Sequence, residues 1–284
     1  MIKIKPKDNV NTECSLYCYD VSQFPLIPQK DLSQAMAVNA QLFLQMIEKT
    51  MFAVSTDDNR PIFKGVYWQV LSNEHVMAAT DGIRVAEMKT FGNMPVEETI
   101  EQVLPVKGLN FLQRTISDDI HEIKVLLEPN CVMFSYGRFM LFSHVIEGRY
   151  PDYRSLFVEL PGNGLMVGRN VLIEAIRSVS VFSPKDTSRI RFDLSREKFE
   201  ITTFDRDMGE VREVVNAFEY TGEPVSIAFN HKFLQSILNV IDSDVVVLRF
   251  GRNTLYPTLI YGEDGEDGDI NIVNRYLLMP LLYV

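Results

Sequence analysis

Three cysteines in 284 residues are too few for a disulfide framework. Cys14 and Cys18 stand four apart in a strand-like stretch, about 13 Å along an extended backbone, which is beyond the reach of a bond between them. Unpaired thiols suit a reducing compartment, so a cytoplasmic setting is expected. Long apolar runs are missing as well. The longest, Tyr276 to Val284, has nine residues and contains Pro280, against the ~20 needed to span a bilayer. The opening MIKIKPKDNV holds no apolar core of the kind a secretory signal requires. Histidine is scarce: His75, His121, His144 and His231 are scattered without metal-ligand spacing, and each reads as a surface or hairpin residue. Positive charge is in deficit, 28 Lys and Arg against 38 Asp and Glu, for a net charge of −10. That balance argues against a generic nucleic-acid-coating protein but does not say where the charges sit. With 46% hydrophobic and 23% charged residues, what remains is an ordinary folded chain whose length suits about two domains.

A repeat organises it. Asn39 to Val54 carries apolar residues at Leu42, Leu44, Ile47 and Met51, and Arg169 to Ser183 carries them at Val171, Leu172, Ile176 and Val179. Spacings of three to four predict an amphipathic helix in each. Short alternating strands follow each helix: Lys64 to Leu71, His75 to Ala79 and Arg84 to Thr90 in the first unit, and Arg189 to Leu194, Lys198 to Thr203 and Glu210 to Phe218 in the second. The short polar turns between them are those of antiparallel hairpins. Each unit then feeds a second helix, Lys107 to Ile116 and His231 to Ile241, where the triplets Phe111 to Gln113 and Phe233 to Gln235 correspond. A module of helix, sheet, helix and sheet is thus written twice, a feature to be settled before any motif is weighed. Met1 to Asp20 reads as a lone hairpin, followed by a proline-punctuated connector, Phe24 to Gln29. The expected division is a residual hairpin and connector over 1–32, a first unit over 33–156 and a second over 157–284.

Charge is segregated over these elements. The four helices carry Lys49, Lys107, Arg114, Arg169, Arg177 and Lys232 against Glu48 and Glu174, so the acidic excess lies in sheets and loops. Surface Lys and Arg decorate most amphipathic helices, and from the count alone a nucleic-acid face and a plain solvated face stand level. Other motifs are weaker. Ser195 to Lys198 spells Ser-x-x-Lys on a hairpin turn, without the further motifs an acyl-enzyme needs. Gly162, Gly164 and Gly168 lack phosphate-loop spacing and read as a linker into the second repeat. Glu263 to Asp269 lacks the ligand order of a calcium loop and reads as a solvated hairpin tip.

Four stretches go further: RPIFKGVYWQV (Arg60 to Val70), ATDGIRVA (Ala79 to Ala86), HVIEGRYPDYRSL (His144 to Leu156) and YLLMPLLYV (Tyr276 to Val284). With the repeat, they resemble the bacterial DNA sliding clamp, the beta subunit of DNA polymerase III. The resemblance runs from about Ile2 to the C-terminus, and its Gly-Arg-Tyr-Pro-Asp-Tyr-Arg segment is highly specific. It implies an α+β fold of two tandem clamp-type domains, each of two helices packed on antiparallel sheets, forming an arc of a ring. Family members carry three modules per chain and close as a head-to-tail dimer of six. This sequence matches the second and third modules plus a last hairpin of the first, which leaves monomer, dimer and trimeric ring open.

The function implied is a non-catalytic processivity factor that needs no cofactor or metal. Its partners would be double-stranded DNA of any sequence, held loosely by hole-facing cations, and the replicative polymerase, the clamp loader, and mismatch-repair and translesion proteins. The candidate DNA-facing residues are Lys49, Lys107, Arg114, Arg169, Arg177 and Lys232, with Lys107 and Lys232 matching across the repeat. The proteins would dock short Gln/Leu/Phe motifs into a groove lined by Phe63, Thr80, Gly82, Arg84, Val85, Pro151, Leu156, Leu277, Met279, Pro280 and Leu281. Arg60 and Ile62 would lie at its second half. Pattern alone reads the terminal apolar strand as core; the resemblance makes it a docking ledge. Ser155 and Ile83 stand where the family often has a basic and a polar residue. Two other readings remain: a peptide-binding adaptor unable to close a ring, and a nucleic-acid hydrolase using scattered carboxylates with Ser195 and Lys198.

Overall fold

The computed structural model describes residues 1–7, 12–23, 30–92, 96, 98–157, 163–251, 256–263 and 272–282. They divide into two compact units, Met1–Gln34 and Ala35–Val284. In the first unit, β1 (Ile2–Ile4) and β2 (Cys14–Leu16) form an antiparallel pair with every residue exposed. Cys14 and Cys18 are free thiols. The expected connector Phe24 to Gln29 lies outside the described residues, as do Gly162 and most of Glu263 to Asp269.

The second unit contains the repeat. Its first half runs β3 (Met36–Asn39), α1 (Ala40–Met51), β4 (Gly65–Val70), β5 (Glu74–Thr80), β6 (Arg84–Phe91), β7 (Ile100–Pro105), α2 (Val106–Thr115), β8 (Glu122–Glu128), β9 (Cys131–Tyr136) and β10 (Phe139–His144). The second half runs β11 (Gly164–Gly168), α3 (Arg169–Ser180), β12 (Arg189–Leu194), β13 (Phe199–Asp205), β14 (Gly209–Val215), β15 (Phe218–Thr221), β16 (Val225–Asn230), α4 (His231–Leu238), β17 (Val245–Arg249), β18 (Thr258–Gly262) and β19 (Ile272–Leu278). Gly164 and Gly168 therefore bound a strand and are not a linker. The intervening Leu165 and Val167 are buried, a five-residue run too short to announce itself by alternation. Likewise Phe218 leaves the β14 hairpin and starts a strand in another sheet.

Asparagine starts one helix in each half. Asn39 Oδ1 accepts from Leu42 N at 2.9 Å, and Asn230 Oδ1 accepts from Lys232 N at 3.0 Å, satisfying donors that the first helical turn leaves open. The face of α1 that reaches the core is Phe43, Met46, Ile47 and Thr50, rotated from the stripe read off the sequence; Leu42, Leu44 and Met51 are only half-buried. In α3 the buried set is Leu172, Ala175, Ile176 and Val179, while Val171 faces solvent.

The sheets join the halves. One four-stranded sheet has the order β10-β9-β8-β3 and another β14-β13-β12-β16, but the third has nine strands, β15-β11-β17-β18-β19-β6-β5-β4-β7. The two halves meet in it where β19 pairs with β6, antiparallel from Ile272↔Thr90 to Leu278↔Arg84. The last strand of the chain thus completes the sheet of the first half. Two histidines depart from expectation: His75 and His231 are 2% and 7% exposed, packed in the interior, whereas His121 and His144 face solvent.

Candidate protein-binding groove and nucleic-acid face

The loop between β5 and β6 is wired to itself. Thr80 Oγ1 donates to Arg84 O at 2.6 Å and accepts from Gly82 N at 3.0 Å. Asp81 Oδ1 accepts from Ile83 N and Arg84 N at 2.9 and 3.0 Å, and its Oδ2 takes Arg84 Nε at 2.9 Å. Gly82 has φ +91°, the left-handed region that a side chain disfavours, and an added Cβ there would meet Arg60 Nη1 at 2.8 Å. Arg60 also donates to Asp81 O at 3.1 Å and lies 5.2 Å over the Phe63 ring. The terminal segment lies alongside: Val85 pairs with Leu277, Met279 N donates to Ile83 O at 2.9 Å, and Leu281 N donates to Ala228 O at 2.8 Å.

Behind these residues is a small core separate from the main one. It comprises Tyr67, Ala78, Val85, Val103, Tyr150, Tyr153 and Leu277, with Ile62 and Phe63 packed against it. The connector leaving β10 covers it: Tyr150 stacks on Tyr67 at 5.0 Å and meets Phe63 edge-on at 6.2 Å. Burial holds the Tyr150 and Tyr153 hydroxyls above the ordinary phenol range. Val85, Leu277 and Pro280 are buried, Ile62, Phe63, Met279 and Leu281 half-buried, and Pro151 and Leu156 exposed. Ile83, Leu156 and Leu282 are large apolar side chains 43%, 46% and 61% exposed. An apolar strip with a firm floor and open side chains at its rim is what a docked peptide needs.

Arg84, on the same loop, also reaches across to the helices. Its guanidinium donates to Phe52 O at 2.9 Å and to Ser236 Oγ at 2.6 Å, and lies 4.6 Å over the Phe233 ring. It thereby joins the end of α1 to α4, at the junction between the halves.

The helix cations divide in the same way. Lys49 is 3% exposed; its ammonium bonds Val240 O and lies 2.6 Å from Asp242. The expectation that Lys49 faces DNA is therefore overturned, because the rotation of α1 turns it onto the other half. Arg169 is half-buried and donates to Leu238 O at 3.4 Å. Lys107, Arg114, Arg177 and Lys232 are exposed, with Glu48 and Glu174 also at the helix surfaces. Lys107 and Arg114, seven apart on α2, share a face with exposed Phe111. Because α1 packs on α2, α3 on α4, and Arg84 and Lys49 tie α1 to α4, the helices follow one another as α2, α1, α4, α3.

The hydrolase reading finds little. Ser195 Oγ accepts from Lys198 N at 3.1 Å, closing the hairpin turn, and the Lys198 ammonium pairs with Glu200 at 2.9 Å. Among the described residues no group of three or more His, Cys, Asp or Glu could hold a metal ion, and no helix is long and apolar enough to cross a membrane.

Comparison with known proteins supplies the class. A family model for the DNA polymerase III beta subunit, central domain, matches residues 37–152, and one for its C-terminal domain matches 155–277. The beta sliding clamp of Staphylococcus epidermidis is 30% identical over 260 residues, covering 90% of this chain and 68% of that protein. The sliding clamp structure from Bacillus subtilis is 25% identical with a TM-score of 0.85, over 96% of this chain and 71% of that one. The one from Pseudomonas aeruginosa shares the fold at 23% identity, with a TM-score of 0.86 over 96% and 72%. The fold is that of tandem clamp domains. The chain belongs to the bacterial beta sliding clamp family, in the part that spans the central and C-terminal domains.

Tyr150, Tyr153, Glu87 and Arg275, which hold the connector on the sheet, were not singled out from sequence. The two tyrosines lie inside the Gly-Arg-Tyr-Pro-Asp-Tyr-Arg segment, whose specificity was legible; that they pack inward was not.

Proposed function

We propose that this chain serves DNA replication as a non-catalytic tether, touching duplex DNA through Lys107, Arg114, Arg177 and Lys232 and holding the polymerase and other proteins in the groove beside its C-terminal strand. The observation that carries this reading is the division of cations: those at the junction are buried and paired, and those on the outer helix faces are exposed. Contacts of that kind reach phosphates and read no bases, so binding is weak and salt-sensitive, as sliding requires. The domain division at residue 156 and the groove residues Arg60, Ile62, Phe63, Thr80, Gly82, Arg84, Val85, Pro151, Leu156, Leu277, Met279, Pro280 and Leu281 belong to the same proposal. So does the assignment of clamp loader, mismatch-repair and translesion proteins as groove partners in the cytoplasm.

Two measurements test it. A short peptide containing Gln, Leu and Phe binds the chain, and Met279→Ala or Pro280→Ala abolishes binding while circular dichroism stays unchanged; unaltered affinity in both variants removes the groove. Lys107→Ala weakens DNA binding without changing the melting temperature and lowers the slope of log K against log salt by about 1. An unchanged slope takes α2 out of the DNA face. Retention on circular but not linearised DNA separates encirclement from the adaptor reading.

A further inference from the structure

Glu87 is fully buried on β6, flanked in the strand by buried Ala86 and Met88. A buried carboxylate is costly unless every partner is in place, and its partners here come from three segments. Oε1 accepts from Arg275 Nε on β19 at 2.6 Å, Oε2 accepts from the Tyr153 hydroxyl of the connector at 2.8 Å, and Lys89 lies 3.8 Å away on β6 itself. The Arg275 guanidinium also lies 4.0 Å over the ring of Phe157, further along the connector. One carboxylate therefore holds the connector at two points, directly through Tyr153 and indirectly through Arg275 and Phe157. Leu156 sits between those points, fixed to the first by its N–H donating to Tyr153 O at 3.1 Å; Pro151 is just before them, and its carbonyl accepts from Tyr153 N at 2.8 Å. Both are exposed, and both belong to the groove proposed above.

We propose that Glu87 is a positioning residue for peptide binding: through Tyr153 and Arg275 it latches the connector to the β6–β19 seam and so sets where Leu156 and Pro151 stand. The inference rests on the groove reading above. It requires that loosening the latch weakens a bound peptide that no latch atom touches. It also separates affinity from stability, because replacing a buried ion pair by apolar side chains commonly leaves a fold as stable as before or more so.

The test uses the intact chain and a fluorescein-labelled Gln-Leu-Ala-Leu-Phe peptide followed by anisotropy. Glu87→Leu with Arg275→Met removes both charges and the acceptor for Tyr153; the expected result is an unchanged or raised melting temperature with about tenfold weaker peptide binding. Hydrogen exchange should quicken over residues 150–157 and stay unchanged in β12 and β13. Glu87→Gln with Arg275→Met restores an acceptor for Tyr153 and should return affinity to within threefold of the parent. Tyr153→Phe alone, which keeps the ring, should reproduce the loss, and serves if the double variant fails to fold. Affinity within twofold of the parent in Tyr153→Phe, or in the Leu/Met pair with unchanged connector exchange, overturns the latch and leaves the groove standing. A parent chain that does not bind the peptide overturns both.

Discussion

The two halves of the repeat carry equivalent strands that have met different fates. β6 pairs on both sides, with β5 and with β19, and six of its eight residues from Arg84 to Phe91 that lie between the ends are buried or nearly so. β14 pairs with β13 and is the edge of its sheet among the described residues; its burial alternates until Val215. Register makes the comparison residue by residue. His75 pairs with Val70 and Thr90 as Phe199 pairs with Leu194 and Val215, which sets Glu87 opposite the place of Arg212. Glu87 is sealed under the connector. Arg212, with its side chain 54% exposed, shares Glu200 and Glu210 with solvent. Charges along an outer strand keep other chains from pairing with it; a charge inside a seam must instead be answered by a partner, and Arg275 is that partner. The same module thus spends its polar residues on exclusion at one end and on attachment at the other.

Breaking the seam should give the largest effect. The Arg84 and Asp81 side chains are only 12% and 13% exposed, and Arg84 also holds Phe52 O and Ser236. Arg84→Ala leaves the nearly buried Asp81 carboxylate without its counter-charge and removes the bridge from Phe52 O to Ser236, and is expected to cost about 3–5 kcal/mol in urea unfolding. A loss below ~1 kcal/mol would mean that the halves are joined by the sheet alone.

The core positions differ in a way that pH can read. Trp68 meets His75 edge-on at 5.9 Å where Phe192 meets Phe199 at 5.1 Å. Burial lowers the His75 pKa from 6.5 to about 4. The unfolded chain therefore binds the proton more readily between those values, and the stabilising effect of the neutral ring, complete above pH 6.5, is lost as pH falls toward 4. The loss reaches roughly 3 kcal/mol at full protonation of the unfolded state. His75→Phe, which copies the second half, should remove that part of the acid sensitivity measured by thermal melts from pH 7 to 4; an unchanged slope would show that other groups carry it.

At the outer strand the expected effect is smallest. Arg212→Ala should change stability by under about 1 kcal/mol, because exposed ion pairs are screened by water and salt. A larger loss would place Arg212 in a contact as demanding as that of Glu87 and erase the contrast between the strands.

Much of this architecture was legible along the chain. Helix periodicity and the hairpin turns announced both modules, because these are local: each depends on residues within one or two turns of one another. The motif segments singled out for the groove do meet in part: Thr80 pairs with Val85 around the Gly82 turn, and Met279 bonds Ile83. What escaped was rotation and partnership. Lys49 and Arg84 look like any surface cation in the sequence, and only the packing of α1 against the region after α4 turns them inward. β11 escaped because five residues with a glycine at each end are too few to show a period, and Glu87 because an acid in a strand carries no sign of its partner 188 residues away.

The amino-acid order by itself determined the repeated module, its helices and hairpins, and the apolar terminal strand, since periodicity and capping act over neighbouring residues. Which cations meet solvent, which carboxylate is sealed in the seam, and how the connector is held over the groove were decided only when β19 closed against β6. That pairing joins segments far apart in the chain, and burial there sets the polar partners that no local pattern specifies.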